Sequence, residues 1–330
     1  MAEVHERRSR YLVTGGAGFI GSNLTDRLLA DGHQVTVFDN FSTGQREFIE
    51  TASTSGDFSL VEGDLLDEAA LRSAMRDCDF VFHMAANADI RSGLEEPRRD
   101  VEQNTLATLN VLEAMRAHGI LGIAFASSAA ALGEPSVFPT PEDCALPMQT
   151  SLYGASKMAC EGLVSAYCEG YGFEGYCFRF VSVLGERYPH GHVFDFVHAL
   201  GQDPSRLRVL GDGKQRKSYL HVRDCVDAIL CAVRSRSARE ARHRCQIYNL
   251  GFPEYIEVKD SVGWICERLG VDPTLEFTGG RQGWVGDNPF VFLDVSKMLG
   301  LGWQPRFDIR ESVLATVDWL VANPWLLERR

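Results

Sequence analysis

The chain has 330 residues, 45% of them hydrophobic, and a formal net charge of −12. Length and apolar content suffice for a large core, and the acidic balance argues against a general nucleic-acid binder or a protein of anionic membrane surfaces. Nine cysteines, at 78, 144, 160, 168, 177, 225, 231, 245 and 266, form no C-x-x-C pair and are odd in number, which reads as reduced, mostly buried thiols in a cytoplasmic protein. No apolar run reaches the length of a membrane span, and the start lacks the charged-then-apolar order of a secretory signal. Arg7, Arg8 and Arg10 read as a solvated tail, and 235–244 as a basic loop.

The first strand-like run, 11–14, leads straight into Gly15-Gly16-Ala17-Gly18-Phe19-Ile20-Gly21 and a helical pattern over 20–31. Strand, glycine turn and helix in that order make a dinucleotide fingerprint. Gly15 permits the tight turn, Gly18 lets the backbone approach a pyrophosphate, and Gly21 allows close packing of helix on strand. A second strand, 34–38, ends in Asp39, at the offset of the acid that hydrogen-bonds an adenosine ribose; the other reading is a turn former before Asn40. A carboxylate there repels a 2′-phosphate, and no Arg or Lys follows until Arg46, so NAD is favoured over NADP. The third strand, 58–62, leads to Asp64, which either accepts from an adenine amino group or caps the helix that begins near Asp67. Further strand patterns lie at 79–83, 121–127 and 175–181, with helical patterns at 67–76, 100–118 and 151–171 and a return to the sheet near 247–250. Turn-rich stretches follow at 185–192, 201–217 and 278–290. The alternation predicts an α/β protein: a doubly wound parallel-sheet Rossmann domain, 1–180 plus about 222–252, and a smaller, discontinuous α/β substrate domain, 181–221 plus 253–330.

Tyr153 and Lys157 stand in Tyr-Gly-Ala-Ser-Lys, four residues apart on one helical face, after a Ser127-Ser128 step at a strand end. A lone Y-x-x-x-K is ordinarily a surface pair on a helix; behind a dinucleotide fingerprint it describes a redox site. A phenol of ordinary pKa, near ~10, acts as a base at neutral pH only if its phenolate is stabilised, and the Lys157 ammonium one turn away is expected to do that. The two serines could instead satisfy strand-end backbone groups. His83, His118 and His221 show no ligand-like spacing, so no metal is implied.

With the fingerprint, Asp39, Ser127-Ser128 and the Tyr153/Lys157 pair, the chain resembles the extended short-chain dehydrogenase/reductase family, and within it the NAD-dependent UDP-glucose (UDP-galactose) 4-epimerase type. His83-Met84-Ala85-Ala86-Asn87, 104–110, 211–219 and Gly283-Trp284-Val285-Gly286-Asp287 carry the likeness onward toward Trp319. The resemblance implies that Gly15, Gly18, Phe19, Ile20 and Gly21 bind the pyrophosphate, that Asp39, Asn40, Asp64 and Leu65 hold the adenosine, and that Ala85, Ala86 and Asn104 line the cofactor. It implies Ser128, Tyr153 and Lys157 as the catalytic group, and Lys217 at the place of a diphosphate-binding Arg, the alternative being a solvated loop charge. Asn87, Ser182, His192, Val193, Tyr219 and Asp287 fall in regions that contact a nucleotide-diphosphate sugar, though Tyr219 could be core. Val291 stands where this type limits room around the sugar C2 substituent; the other reading is one position of an alternating strand.

Three departures bear on activity. Ser182 replaces a usual Asn, Leu132 a common Tyr, and Ala129-Ala130 occupy the places where dehydratase relatives carry the acid and base for eliminating water. The implied reaction is therefore 4-epimerisation through a transient 4-keto sugar. A nucleotide-sugar dehydrogenase or 4-ketoreductase would use the same residues, and a non-catalytic NAD-binding scaffold is the reading of another class. Helices 100–118 and 151–171 resemble the pair through which the family dimerises, so a homodimer is expected; otherwise their apolar faces only pack on the sheet.

Overall fold

The computed structural model describes residues 8–87, 91–145, 148–235, 242–284 and 286–329. Arg7, residues 236–241 of the basic loop and Val285 lie outside the described residues. In chain order the first strands are β1 (Arg10–Thr14), β2 (Gln34–Asp39), β3 (Phe58–Glu62), β4 (Phe80–His83), β5 (Gly122–Ser128) and β6 (Glu174–Phe180). Short strands follow: β7 (Ser182–Leu184), β8 (Arg206–Val209), β9 (Arg216–Lys217), β10 (Tyr219–His221), β11 (Cys245–Leu250), β12 (Ile256–Glu257), β13 (Thr274–Phe277) and β14 (Phe290–Val291). The longer helices are α1 (Phe19–Ala30), α2 (Glu68–Ala74), α3 (Ala107–His118), α4 (Leu152–Tyr171), α5 (His192–Gln202), α6 (Val222–Arg234), α7 (Val258–Leu269) and α8 (Ile309–Ala322).

Seven strands make one parallel sheet in the order β11-β6-β5-β4-β1-β2-β3. The chain winds outward one way through β2 and β3, then returns to the other side of β1 at β4. The topological switch point therefore lies between the carboxyl ends of β1 and β4, where ligands bind in open α/β sheets.

Alternation along the strands divides the core into two layers. Leu12, Val81, Ile123, Phe125 and Cys177 face one side, against Val111, Leu112 and Met115 of α3 and Cys160 and Val164 of α4. Val13, Phe82, Ala124 and Phe178 face the other, against Leu24 and Leu28 of α1 and Val226 and Ile229 of α6. Each fully buried aliphatic or aromatic side chain contributes about 1.5–3 kcal/mol, so both faces of the sheet hold their helices firmly. A third apolar cluster joins α5, α7 and α8 through Val193, Val197, Val262, Ile265, Val313 and Val317.

Three expectations need correction. The helix placed over 100–118 is broken into a short α-turn at Pro97–Asp100, a π-turn at Val101–Leu106 and then α3. The wider turn carries Asn104, which is buried and hydrogen-bonds beyond its own helix. Asp64 does not cap the following helix: Asp67 does, accepting from the Ala69 and Ala70 amides, while Asp64 Oδ1 takes only the Leu66 N–H. The 201–217 stretch, read as turns, contains β8 and β9. Among the described residues, no helix is long and apolar enough to cross a membrane.

Candidate active site

At the switch point Gly15 adopts φ 67°, donates its N–H to the Phe38 carbonyl at 2.9 Å and accepts from Gly18 N–H at 3.0 Å. A Cβ on Gly15 would stand 2.6 Å from the Ala85 backbone, and one on Gly21 would stand 2.1 Å from the Gly15 carbonyl oxygen. Only glycine permits that approach of turn, helix and β4. α1 starts at Phe19 and Ile20 with Gly18 as N-cap, no side-chain cap and no acid in its first turn, so its N-terminal amides are left to an anion.

Asp39, at the end of β2, is buried, and burial raises its pKa while the Phe41 and Ala17 amides pull it back. Its Oδ1 accepts from Phe41 N–H at 2.8 Å and its Oδ2 from Ala17 N–H at 2.9 Å. The turn-forming reading of this residue is thus realised, and each oxygen keeps a further lone pair for a ribose hydroxyl. Asn40 donates to Asp64 Oδ2 at 3.0 Å, and the buried Leu65 gives its carbonyl to Asn110. The glycine cradle, the uncapped helix start and the acid at the β2 end fit a dinucleotide without a 2′-phosphate.

Beyond β4, Ala85 and Ala86 continue the chain past the glycine turn to Asn87, whose backbone N–H donates to Asn104 Oδ1 at 2.8 Å and whose side chain donates to Asp100 at 2.9 Å. Asn104 Nδ2 donates in turn to Ser156 Oγ, and Ser156 to the Tyr153 carbonyl. Asp100 and Ser156 were not singled out by sequence reasoning. The i, i+4 spacing of Asp100 and Asn104 was the available signal.

α4 is capped by Ser151, which accepts from Gly154 N–H, and a Cβ on Gly154 would stand 2.4 Å from the Ala130 carbonyl. That close approach brings Tyr153 to the turn after β5, with Ser128 near enough to its phenol to affect its acidity. Ser128 Oγ accepts from Ala130 N–H at 3.1 Å, so the hydroxyl serves the strand-end backbone. Lys157 lies on the same face as Tyr153, 2% exposed; its Nζ donates to the Ala126 carbonyl at 2.7 Å and sits 5.8 Å from the phenol ring centroid. Burial pushes the Tyr153 pKa up to about 12, with the nearby Ser128 hydroxyl acting the other way, and pushes Lys157 down to about 8, opposed by Cys160, Glu161 and Asp100. The expected stabilisation of the phenolate by Lys157 does not appear in these shifts: burial dominates the phenol, and Lys157 is not among the groups that shift it.

The proposed substrate residues divide. Lys217 is not a solvated charge: its Nζ pairs with Asp287 Oδ1 at 2.8 Å and also bonds the Asn288 carbonyl, while Asp287 Oδ2 takes Gly283 N–H at 3.0 Å. His192 opens α5, with its ring centroid 4.9 Å from that of Tyr219; burial, then the Lys217 charge, pushes its pKa down to about 3, so the imidazole is neutral. Tyr219 is 2% exposed and belongs to the α5–α7–α8 core, as its alternative reading had it. Val193 is fully buried in that core, which corrects its assignment as a ligand contact: only its backbone at the first helical turn remains for one. Ser182 is exposed at the start of β7, opposite Tyr219. Val291, in β14, lines a small cavity of about 10 Å³ with Ala129, Leu132, Phe138 and Phe290. Among the described residues no group of three or more His, Cys, Asp or Glu could hold a metal ion.

The family described as "NAD dependent epimerase/dehydratase family" matches residues 11–251. A protein named "Putative UDP-glucose 4-epimerase", from Methanocaldococcus jannaschii, is 32% identical over 317 residues, 94% of this chain and 98% of its own length. A crystal structure of a UDP-galactose 4-epimerase superposes with TM-score 0.84 at 36% identity, covering 96% of this chain and 100% of the other. The UDP-N-acetylglucosamine 4-epimerase from Methanobrevibacter ruminantium M1 superposes at 0.85 with 27% identity, covering 96% of this chain and 100% of the other. Matched span, identity and the dinucleotide cradle lead to one conclusion: the chain belongs to the NAD-dependent epimerase/dehydratase family of nucleotide-sugar enzymes, with NAD as its cofactor.

Proposed function

We propose that the chain is a nucleotide-sugar 4-epimerase of the UDP-glucose/UDP-galactose type. The observation that carries this reading is Tyr153 and Lys157 on one buried face of α4, packed against the turn after β5 that carries Ser128 and then offers only Ala129 and Ala130. NAD, when bound, takes up the hydrogen at sugar C4 as hydride and returns it. The Tyr153 oxygen accepts the proton of the 4-hydroxyl and later gives it back, and Ser128 orients the sugar oxygen. Lys157, with its Nζ 5.8 Å from the phenol ring centroid, would favour the phenolate that burial disfavours. With no carboxyl group in the 129–132 turn, nothing there can expel a hydroxyl from the sugar, so the hexose must turn and take the hydrogen on its other face.

In this scheme the grip on substrate lies on the nucleotide diphosphate, through Lys217 and the 181–221 and 253–330 segments, and the hexose is held loosely enough to rotate. Expected with UDP-glucose is UDP-galactose by product chromatography, with no net rise in NADH absorbance. A steady rise would identify a dehydrogenase, and no turnover on any nucleotide sugar would leave a binding protein. Val291, at the position that the likeness gives to the surroundings of the sugar C2 substituent, has a small side chain, which on this reading admits an acetamido group there. UDP-N-acetylglucosamine is therefore expected to turn over within about tenfold of UDP-glucose in kcat/KM, whereas a pocket that excluded the acetamido group would cost about 1–3 kcal/mol, or roughly 10–200-fold. Failure of the acetylated sugar alone would refute the role given to Val291.

On the same reading the enzyme is a cytoplasmic homodimer that pairs through α3 and α4, whose flanks expose Val101, Leu106, Leu152 and Tyr171. A monomeric mass in light scattering would rule the pairing out.

A further inference from the structure

Ser127 and Arg179 are directly paired across β5 and β6. Glu161, one turn after Lys157 on α4, reaches down to both: Arg179 Nε donates to Oε1 at 2.9 Å, its second terminal nitrogen to Oε2 at 2.8 Å, and Ser127 Oγ to Oε1 at 2.5 Å. The remaining terminal nitrogen of Arg179 donates to the Glu142 carbonyl at 2.9 Å. All three side chains are nearly or fully inaccessible, with Arg179 at 11% and Glu161 at 7% exposure. Burial works against the Arg179 charge, yet the Glu161 carboxylate more than offsets it and its pKa is raised.

A buried ion pair of this kind is a poor source of net stability, because desolvation cancels most of the attraction. Its geometry is specific instead: a planar fork on a carboxylate fixes distance and orientation together. Three contacts tie α4 to the end of β5. Gly154 lies against Ala130, Lys157 bonds Ala126, and Glu161 bonds Ser127 and Arg179. The first two lie near the start of the helix, one on the turn after β5 and one on β5 itself. The third lies a turn further on and engages two strands, so it resists both rotation of α4 about its axis and sliding along it.

We propose that Glu161, clamped by Ser127 and Arg179, is a positioning residue that sets the reach of the Tyr153 phenol to Ser128 and the sugar oxygen. Ser127 is the residue before Ser128, and Glu161 lies two turns from Tyr153, so the clamp joins the two halves of the reacting pair through one carboxylate. The inference rests on the reading of Tyr153 and Ser128 given under Proposed function.

The test compares Glu161→Gln and Ser127→Ala in the full chain with NAD bound. Gln keeps size and an acceptor but not the charge, and Ala at 127 removes only a hydroxyl. Misplacement of a reacting group by about 1 Å costs up to about 10²-fold, so Glu161→Gln is expected to lower kcat at least about tenfold with KM within about twofold. Ser127→Ala should lower kcat at least about threefold. A primary isotope effect from substrate deuterated at the reacting carbon should increase in both, since the chemical step becomes slower. A merely structural role would instead show as lost NAD and lowered thermal stability with an unchanged isotope effect. Should Glu161→Gln not fold, Ser127→Ala decides alone. Parent-like kcat in the folded variants, or a loss of rate that tracks loss of NAD, overturns the proposal. If Tyr153→Phe is inactive while both variants run at full rate, only the positioning role has failed; if Tyr153→Phe is active, the reading of the site has failed with it.

Discussion

Tyr153→Phe is expected to lower turnover by roughly 10²–10⁴-fold while NAD stays bound, the range over which a positioned acid-base group acts. The substitution removes one oxygen from a ring that is 8% exposed, so packing is kept and no cavity opens. Ser128 still holds the Ala130 N–H, which keeps the turn after β5 in place. The 4-hydroxyl proton of the substrate then has no histidine of suitable basicity to take it, since His83 is buried and bonded to Thr14 and Thr108, half-buried His192 packs on Tyr219, and desolvation pushes both pKa values down to about 3. Steady-state rates and the NAD released on denaturation test both halves. A near-normal rate would eliminate Tyr153 as the base.

Lys157→Met should divide activity from stability. Activity is expected to fall roughly 10²-fold, because the phenolate loses its cationic neighbour. Stability should move the other way. Burial brings the Lys157 pKa from 10.5 down to about 8. Below pH 8 the folded and unfolded chains are both protonated there, and the folded chain bears the whole cost of the buried charge. Between about 8 and 10.5 the unfolded chain holds more protons, so the free energy of unfolding rises with pH; above that the cost is gone. Met fills similar space without a charge, although the Ala126 carbonyl loses its donor at about 1 kcal/mol. Denaturant unfolding without NAD should therefore show the variant more stable than the parent at pH 7, by on the order of 1–2 kcal/mol, with the gap closing toward pH 10. A gap that does not change with pH would show that the buried ammonium is not its cause.

The first half of the chain was legible because its signals are local. The apolar runs at 11–14, 34–38 and 58–62 and the glycine turn each declare themselves within a few residues, and the strands appear within a residue of those bounds. The π-turn at Val101–Leu106 was not legible: one extra residue per turn shifts the hydrophobic phase too little to show in a pattern that continues into α3. Asp64 and Asp67 both suit a cap, and only the backbone path decides between them. Beyond Phe180, strands of two to four residues depend on distant partners. β9 lies between β12, which runs antiparallel to it, and β14, which runs parallel. No periodicity encodes such pairings. The same limit applied to the site: spacing placed Tyr153 and Lys157 together, but how deeply they lie, and hence the direction of both pKa shifts, belongs to the packed protein.

Asp39 ties the loop at Ala17 to the strand end at Phe41 with its two oxygens. Re-engineering the enzyme toward the phosphorylated cofactor by deleting this negative charge would therefore unfasten the loop as well. A redesign would have to supply two replacement acceptors for those amides before any arginine introduced nearby could be useful.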